Sequence, residues 1–120
     1  LDFDLDLAKQ STNENPVYYI QYAYARIHNI IEKTNNLEIN NESPPLNKEG
    51  RMLILHICRL NETLHEISVS HDIYKVTIYA YELAKLFHSF YQTSPVIINK
   101  TMVHKLRKEI IIKTKETLEI

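Results

Sequence analysis

An all-α fold, a helical bundle of four to five mostly antiparallel helices, is what these 120 residues predict. Three observations point to it. Two long stretches, residues 15–33 and 71–95, repeat apolar side chains at gaps of three and four, the period of a helix. The breaks between periodic stretches are marked by polar residues and by Pro44, Pro45 and Pro95, and they are short enough to imply antiparallel neighbours. No strand pair or hairpin turn is needed anywhere.

The opening LDFDLDLAKQSTNE alternates apolar and acidic residues before turning polar. Residues 1–12 read as a connecting segment that tucks Phe3, Leu5 and Leu7 against neighbours. Asp2, Asp4 and Asp6 are not a calcium loop, since the glycine and closing glutamate of such a loop are missing. The first helix follows, with Asn15 as its cap and Pro16 at a position where a missing N–H costs nothing. Val17, Ile20, Tyr24, Ile27 and Ile31 form its inward seam. At 100° per residue, Tyr18, Tyr22, Arg26, Asn29 and Lys33 fall on the opposite side, two tyrosines and two cations facing solvent.

TNNLEINNESPPLN is then an exposed loop. Asn47 caps a second helix through Arg51, Leu53, Ile54, Ile57 and Leu60, with a break near Asn61 and Leu64 and Ile67 continuing the face. Cys58, near His56 and His65, lacks the paired spacing of a zinc site and is expected as a buried thiol. The next seam is Ile73, Val76, Ala80, Leu83, Phe87 and Phe90, with Tyr74, Tyr81, Lys85, His88 and Gln92 opposite it. Tyr91 lies beside the seam just before Pro95, where a ring is half packed and half presented. A last helix from about Lys100 to Glu119 packs Val103, Leu106, Ile110 and Leu118 and turns its lysines outward.

Composition narrows the function. An apolar fraction of 44% and a charged fraction of 24% are those of an ordinary globular domain. The single cysteine rules out an internal disulfide and fits a reducing, cytoplasmic compartment. No apolar run approaches the roughly 18 residues of a membrane span. The single glycine excludes a Walker loop and a dinucleotide-binding turn, both of which need several. Net charge is −1, unevenly spread: residues 1–50 carry four basic and eight acidic groups, residues 51–120 ten and seven. Residues 100–115 hold six basic groups against Glu109 alone, a hint of a phosphate-bearing partner. The chain begins with Leu1, as a piece of something longer would.

NENPVYYIQYAYARI, followed further along by YELAKLFHSFYQTSPVI, resembles the C-terminal, DALR-type anticodon-binding domain of arginyl-tRNA synthetases, a helical module of class I synthetases. The likeness covers essentially the whole chain. FDLDLA is similar to the segment joining the catalytic and anticodon-binding domains, so residues 1–12 are expected as a linker and 13–120 as the binding domain. RKEIIIKTKETLEI is similar to the family's final helix. The resemblance implies that Tyr22 and Arg26 on one helix and Tyr91 on another face the anticodon loop of tRNA-Arg, with Asn15 in a neighbouring segment. Lys33, Lys105 and Lys108 are expected to attract phosphates. Three departures stand out: Ile73 replaces a customary proline, Tyr24 replaces a customary histidine, and the family's short tail is absent after Ile120.

The enzyme implied is an arginine–tRNA ligase. Its two class I phosphate-handling signatures, of the His-Ile-Gly-His and Lys-Met-Ser-Lys types, do not occur here, and KTMVHK has the wrong spacing for the second. The chain is therefore expected to bind without catalysing, with no catalytic residue, metal or cofactor of its own. ATP and Mg2+ would belong to the missing catalytic domain. The partners implied are tRNA-Arg and that catalytic domain, with no membrane and a monomeric chain. The mechanism would be stacking of splayed bases on Tyr22 and Tyr91, with Arg26 pairing or stacking beside them. The alternative is a helical protein–protein interaction module using the same tyrosines, since exposed tyrosines also mark protein interfaces. A bundle enzyme with an internal metal is poorly supported, because no Glu-x-x-His motif projects inward.

Overall fold

A computed structural model describes residues 15–40, 45–98 and 102–119. The expected linker 1–12, the packing of Phe3, Leu5 and Leu7, and the start of the last helix at Lys100 lie outside them. Helix α1 is Pro16–Thr34, α2 Lys48–Cys58, α3 Leu60–Ser70, α4 Tyr74–Thr93 and α5 Lys105–Leu118. Three short strands accompany them: β1 (Glu38–Asn40), β2 (Ile97–Ile98) and β3 (Met102–His104). They form one sheet in the order β1-β3-β2, with β1 parallel and β2 antiparallel to β3.

Local chemistry fixes the helix starts. The Asn15 side-chain oxygen accepts from the Val17 and Tyr18 amides at 3.0 and 3.3 Å, with Pro16 in the first turn. Asn47 does the same for α2, accepting from the Gly50 amide at 2.9 Å. Its amide donates to Thr93 Oγ1 and Ser94 Oγ at 2.9 and 3.0 Å, so one residue ties the start of α2 to the end of α4. A Cβ on the single glycine, Gly50, would meet Leu46 Cδ2 at 2.9 Å and Phe90 Cε1 at 3.2 Å. A side chain here would require Leu46 and the Phe90 ring to shift.

The core gathers Ala23, Ile27 and Ile30 of α1, Leu53 of α2, Leu83, Ala84, Phe87 and Phe90 of α4, and Ile110 and Ile111 of α5, with Val96 and Val103 between. Burial of such apolar surface is the main stabilising term, at about 25 cal/mol per Å2.

Several expectations need correction. The buried stripe of α1 is Pro16, Ala23, Ile27, Ile30 and Thr34, turned by roughly 70° from the predicted seam. Small Ala23 permits close helix approach, and Thr34 satisfies its own hydroxyl by donating to the Ile31 carbonyl at 2.7 Å. The first half of the α4 seam is not core: Ile73 is 76% exposed and Val76 44%. The Cys58 thiol is exposed, at the end of α2 where the chain breaks at Arg59, two residues before the predicted point. Residues 102–104 pair as a strand, so α5 starts at Lys105 and Val103 is buried from the sheet.

Candidate nucleic-acid interface

α1 and α4 pack side by side, and their shared edge carries the candidate site. Its residues are set by two helical periods. Tyr22, Arg26, Asn29 and Lys33 recur at gaps of four, three and four along α1, and Tyr91 comes from the last turns of α4. With Ala25 and Ile30 they line an open groove of about 380 Å3. Tyr22 is 45% exposed, Asn29 and Lys33 are exposed, and Arg26 and Tyr91 are half-buried.

Beneath the groove is a ladder of rings. Tyr91 stacks on buried Phe87 with centroids 6.0 Å apart. Tyr22 stacks on His88 at 5.7 Å, and Tyr19 meets the same imidazole in a T-shaped arrangement at 5.3 Å. The Arg26 guanidinium carbon lies 5.0 Å from the centre of the Tyr91 ring, within reach of a cation–π attraction. Its Nη1 is 2.9 Å from His88 Nδ1. Among the described residues no carboxylate lines the groove, and neither Arg26 nor Lys33 makes an ion pair. A groove with flat rings, one guanidinium, one ammonium and no anion suits a ligand that is both aromatic and negatively charged.

His88 is the residue that sequence reasoning set aside. Counted from the α4 seam it faces outward, yet α1 covers that side. Burial, and then the Arg26 charge, hold its imidazole below the ordinary 6.5, so it is neutral at physiological pH. Its Nε2 is buried with no hydrogen-bond partner among the described residues. The FHSFY run was the only signal of it in the sequence.

Other sequence candidates are placed elsewhere. Asn15 is 2% exposed and holds the first turn of α1. Lys105 and Lys108 lie in the first turns of α5 and are not among the groove's lining residues. Tyr18 shares the outer face of α1 and does not line the groove either. Tyr24 sits at the opposite edge of α1, donating to Glu119 Oε1 at 2.8 Å. That bond raises its pKa above the ordinary phenol value. No group of three or more His, Cys, Asp or Glu among the described residues could hold a metal ion, and no described helix is long and apolar enough to cross a membrane.

Residues 20–120 match the family described as the DALR anticodon binding domain, a match that takes in Tyr22, Arg26 and Tyr91. The chain belongs to the DALR anticodon-binding domain family. It is similar to the arginine–tRNA ligase of Oceanobacillus iheyensis, 40% identical over 102 residues, which is 81% of this chain and 18% of the relative. The arginine–tRNA ligase of Moorella thermoacetica is 36% identical over 130 residues, 98% of this chain and 22% of the relative. A crystal structure described as an arginyl-tRNA synthetase from Campylobacter jejuni superposes with a TM-score of 0.68 at 26% identity, covering 98% of this chain and 26% of that one. The DALR domain thus spans about a fifth of the length of the curated relatives it matches, and homology to arginine–tRNA ligases runs over most of its own length. The mostly helical architecture expected of the family is present.

Proposed function

We propose that this DALR domain is the part of an arginine–tRNA ligase that holds the anticodon loop of tRNA-Arg. The observation that carries this is the α1–α4 groove, in which Tyr22, Tyr91, Arg26 and Lys33 converge with no carboxylate among the described residues. Single-stranded loops are recognised by laying unstacked bases on aromatic faces while cations meet the phosphates. Tyr22 and Tyr91 offer the faces. Arg26 already lies against Tyr91, so a base entering the groove meets a guanidinium fixed in orientation. Asn29 adds a side chain that both donates and accepts, as base edges require. Lys33 contributes attraction that fades with salt, and Lys105 and Lys108 extend that field from α5. Asn15 acts by fixing the start of α1, its side chain being already engaged.

Arginine activation belongs to the rest of the longer protein. In this reading ATP and Mg2+ are handled by the catalytic domain, since the single glycine rules out a Walker loop within these 120 residues. In this reading residues 1–12 join the two parts, and the enzyme works in the cytoplasm as a monomer.

The test is a titration of the chain with an RNA hairpin bearing the tRNA-Arg anticodon loop at low salt. Resonances of Tyr22, Arg26 and Tyr91 shift, and the shifts weaken when the anticodon is changed. Shifts confined to lysines and indifferent to loop sequence would contradict the reading.

One observation favours a protein contact elsewhere. Leu64 and Val69 of α3, and Val76 and Ile78 of α4, are exposed apolar side chains. Val76 is about 22 Å along α4 from Tyr91, so a protein docked there leaves the groove open.

A further inference from the structure

We propose that His88 is a positioning residue for the groove: as an unprotonated acceptor it holds the Arg26 guanidinium over Tyr91, so capture of single-stranded RNA requires His88 to be neutral. The inference rests on the reading of the groove as an RNA site and names the group that presets it.

A guanidinium has donors only, so the 2.9 Å contact between Arg26 Nη1 and His88 Nδ1 requires a lone pair on Nδ1. The proton of the neutral ring is then on Nε2, the buried atom that has no partner among the described residues. The imidazole cannot swing away to relieve this. Tyr22 stacks on one side at 5.7 Å, Tyr19 packs T-shaped at 5.3 Å, and Phe87 lies at 5.1 Å. His88 is therefore a fixed point, and Arg26 is the longer, more mobile partner. With no ion pair to Arg26 among the described residues, this acceptor and the Tyr91 ring are what orient its guanidinium.

Protonation reverses the contact. Nδ1–H would point at Nη1–H, with two positive charges held at hydrogen-bond distance and no anion between them. The groups facing His88 offer no compensation: α1 presents Tyr19, Tyr22 and Arg26, and α4 carries Lys85 one turn earlier. Glu82, further back on α4, is already 3.7 Å from Lys85. The mobile partner moves, and the guanidinium leaves the Tyr91 face.

The experiment uses the whole chain, labelled with 15N, and the RNA hairpin carrying the tRNA-Arg anticodon loop. Imidazole and guanidinium resonances are followed in the free protein from about pH 8 to about pH 5. Hairpin affinity is measured over the same interval for wild type, His88→Asn and His88→Phe. Asn places a carbonyl oxygen near the Nδ1 position and does not titrate; Phe keeps a ring and removes the acceptor. The other five histidines are unchanged in both variants, so the difference from wild type isolates this ring. In the free protein His88 is the Nε2–H tautomer, and the Arg26 signals move as it protonates. Wild-type affinity falls about tenfold on acidification, His88→Asn binds within a few-fold of wild type without that fall, and His88→Phe is weaker by about tenfold at the upper pH.

A folded His88→Phe chain that binds like wild type, or Arg26 signals indifferent to His88 protonation, would overturn the positioning role. Should His88→Phe fail to fold by circular dichroism, the wild-type titration and the Asn variant still decide. A wild-type chain that ignores the hairpin overturns the RNA reading itself, and the free-protein resonances distinguish that failure from loss of the Arg26 contact.

Discussion

The two edges of α1 carry nearly the same residue types and do opposite things with them. On one edge stand Tyr22, Arg26, His88 and Tyr91; on the other, Tyr24, His28, Lys115 and Glu119. Each has a tyrosine, a histidine and a cation in contact: Arg26 lies 5.0 Å from the Tyr91 centre, and Lys115 5.8 Å from the Tyr24 centre. What differs is the anion. Glu119 lies 3.9 Å from Lys115 and accepts from Tyr24, while His28 lies 3.9 Å from Glu32. That edge neutralises itself and fastens the end of α5 to α1. Among the described residues the groove edge has no carboxylate, and its charge is offered outward. An exposed pair of the first kind is worth little to stability; an unmatched cation beside two rings is available to a ligand.

The largest effect separating the edges comes from beneath. Phe87 is fully buried, stacks under Tyr91 and touches His88, so Phe87→Ala should cost about 3–5 kcal/mol in a denaturant melt and disorder the groove. Among the described residues no comparable ring stacks beneath the Lys115 edge. A loss below about 1 kcal/mol would mean that the groove is not built on the core.

Next in size is binding. Arg26→Ala and Tyr91→Ala should each weaken the anticodon hairpin by about 1–3 kcal/mol, roughly five- to 150-fold, with Tyr22→Ala in the same range. Lys115→Ala should change affinity less than about threefold, as expected for loss of one self-neutralised surface charge. Equal losses at both edges, read by fluorescence titration, would reduce the site to general electrostatics.

How much of this was legible in the sequence follows from which contacts are local. The caps at Asn15 and Asn47, the outer face of α1 and the half-presented Tyr91 depend on neighbours within a turn, and helical periodicity alone orders them. The inward seam of α1 came out rotated because Ala23 and Thr34 are buried there, and a small or a polar side chain weighs little beside Val17, Ile20 and Tyr24 in a hydrophobic pattern. His88 was invisible for a related reason: its partners Arg26, Tyr19 and Tyr22 lie more than 60 residues away, so a position opposite the α4 seam looks solvent-facing until α1 covers it. The small sheet was missed because β1 and β3 are only three residues each and pair across most of the chain. Cys58 was expected inside on residue type, and its place at a helix break overrides that preference.

A smaller effect concerns acid. His88 has a depressed pKa in the folded chain, so the unfolded chain takes up the proton first as pH falls below the ordinary imidazole value. Stability therefore decreases through that window, and levels off once folded His88 also protonates. A pH series of denaturant midpoints should show this slope in wild type and a shallower one in His88→Asn. The smallest effect is Tyr24→Phe, which removes the bond to Glu119 on an exposed surface: hairpin binding should be unchanged, and a melt should scarcely register it.

The most direct measurement maps both edges of α1 at once. Chemical shifts are recorded for the chain with increasing tRNA-Arg anticodon hairpin at low salt. Tyr22, Arg26, His88 and Tyr91 should move in a saturable, loop-sequence-dependent way, while Tyr24, His28 and Lys115 stay still. Movement at the Tyr24 edge with a silent groove would contradict the account.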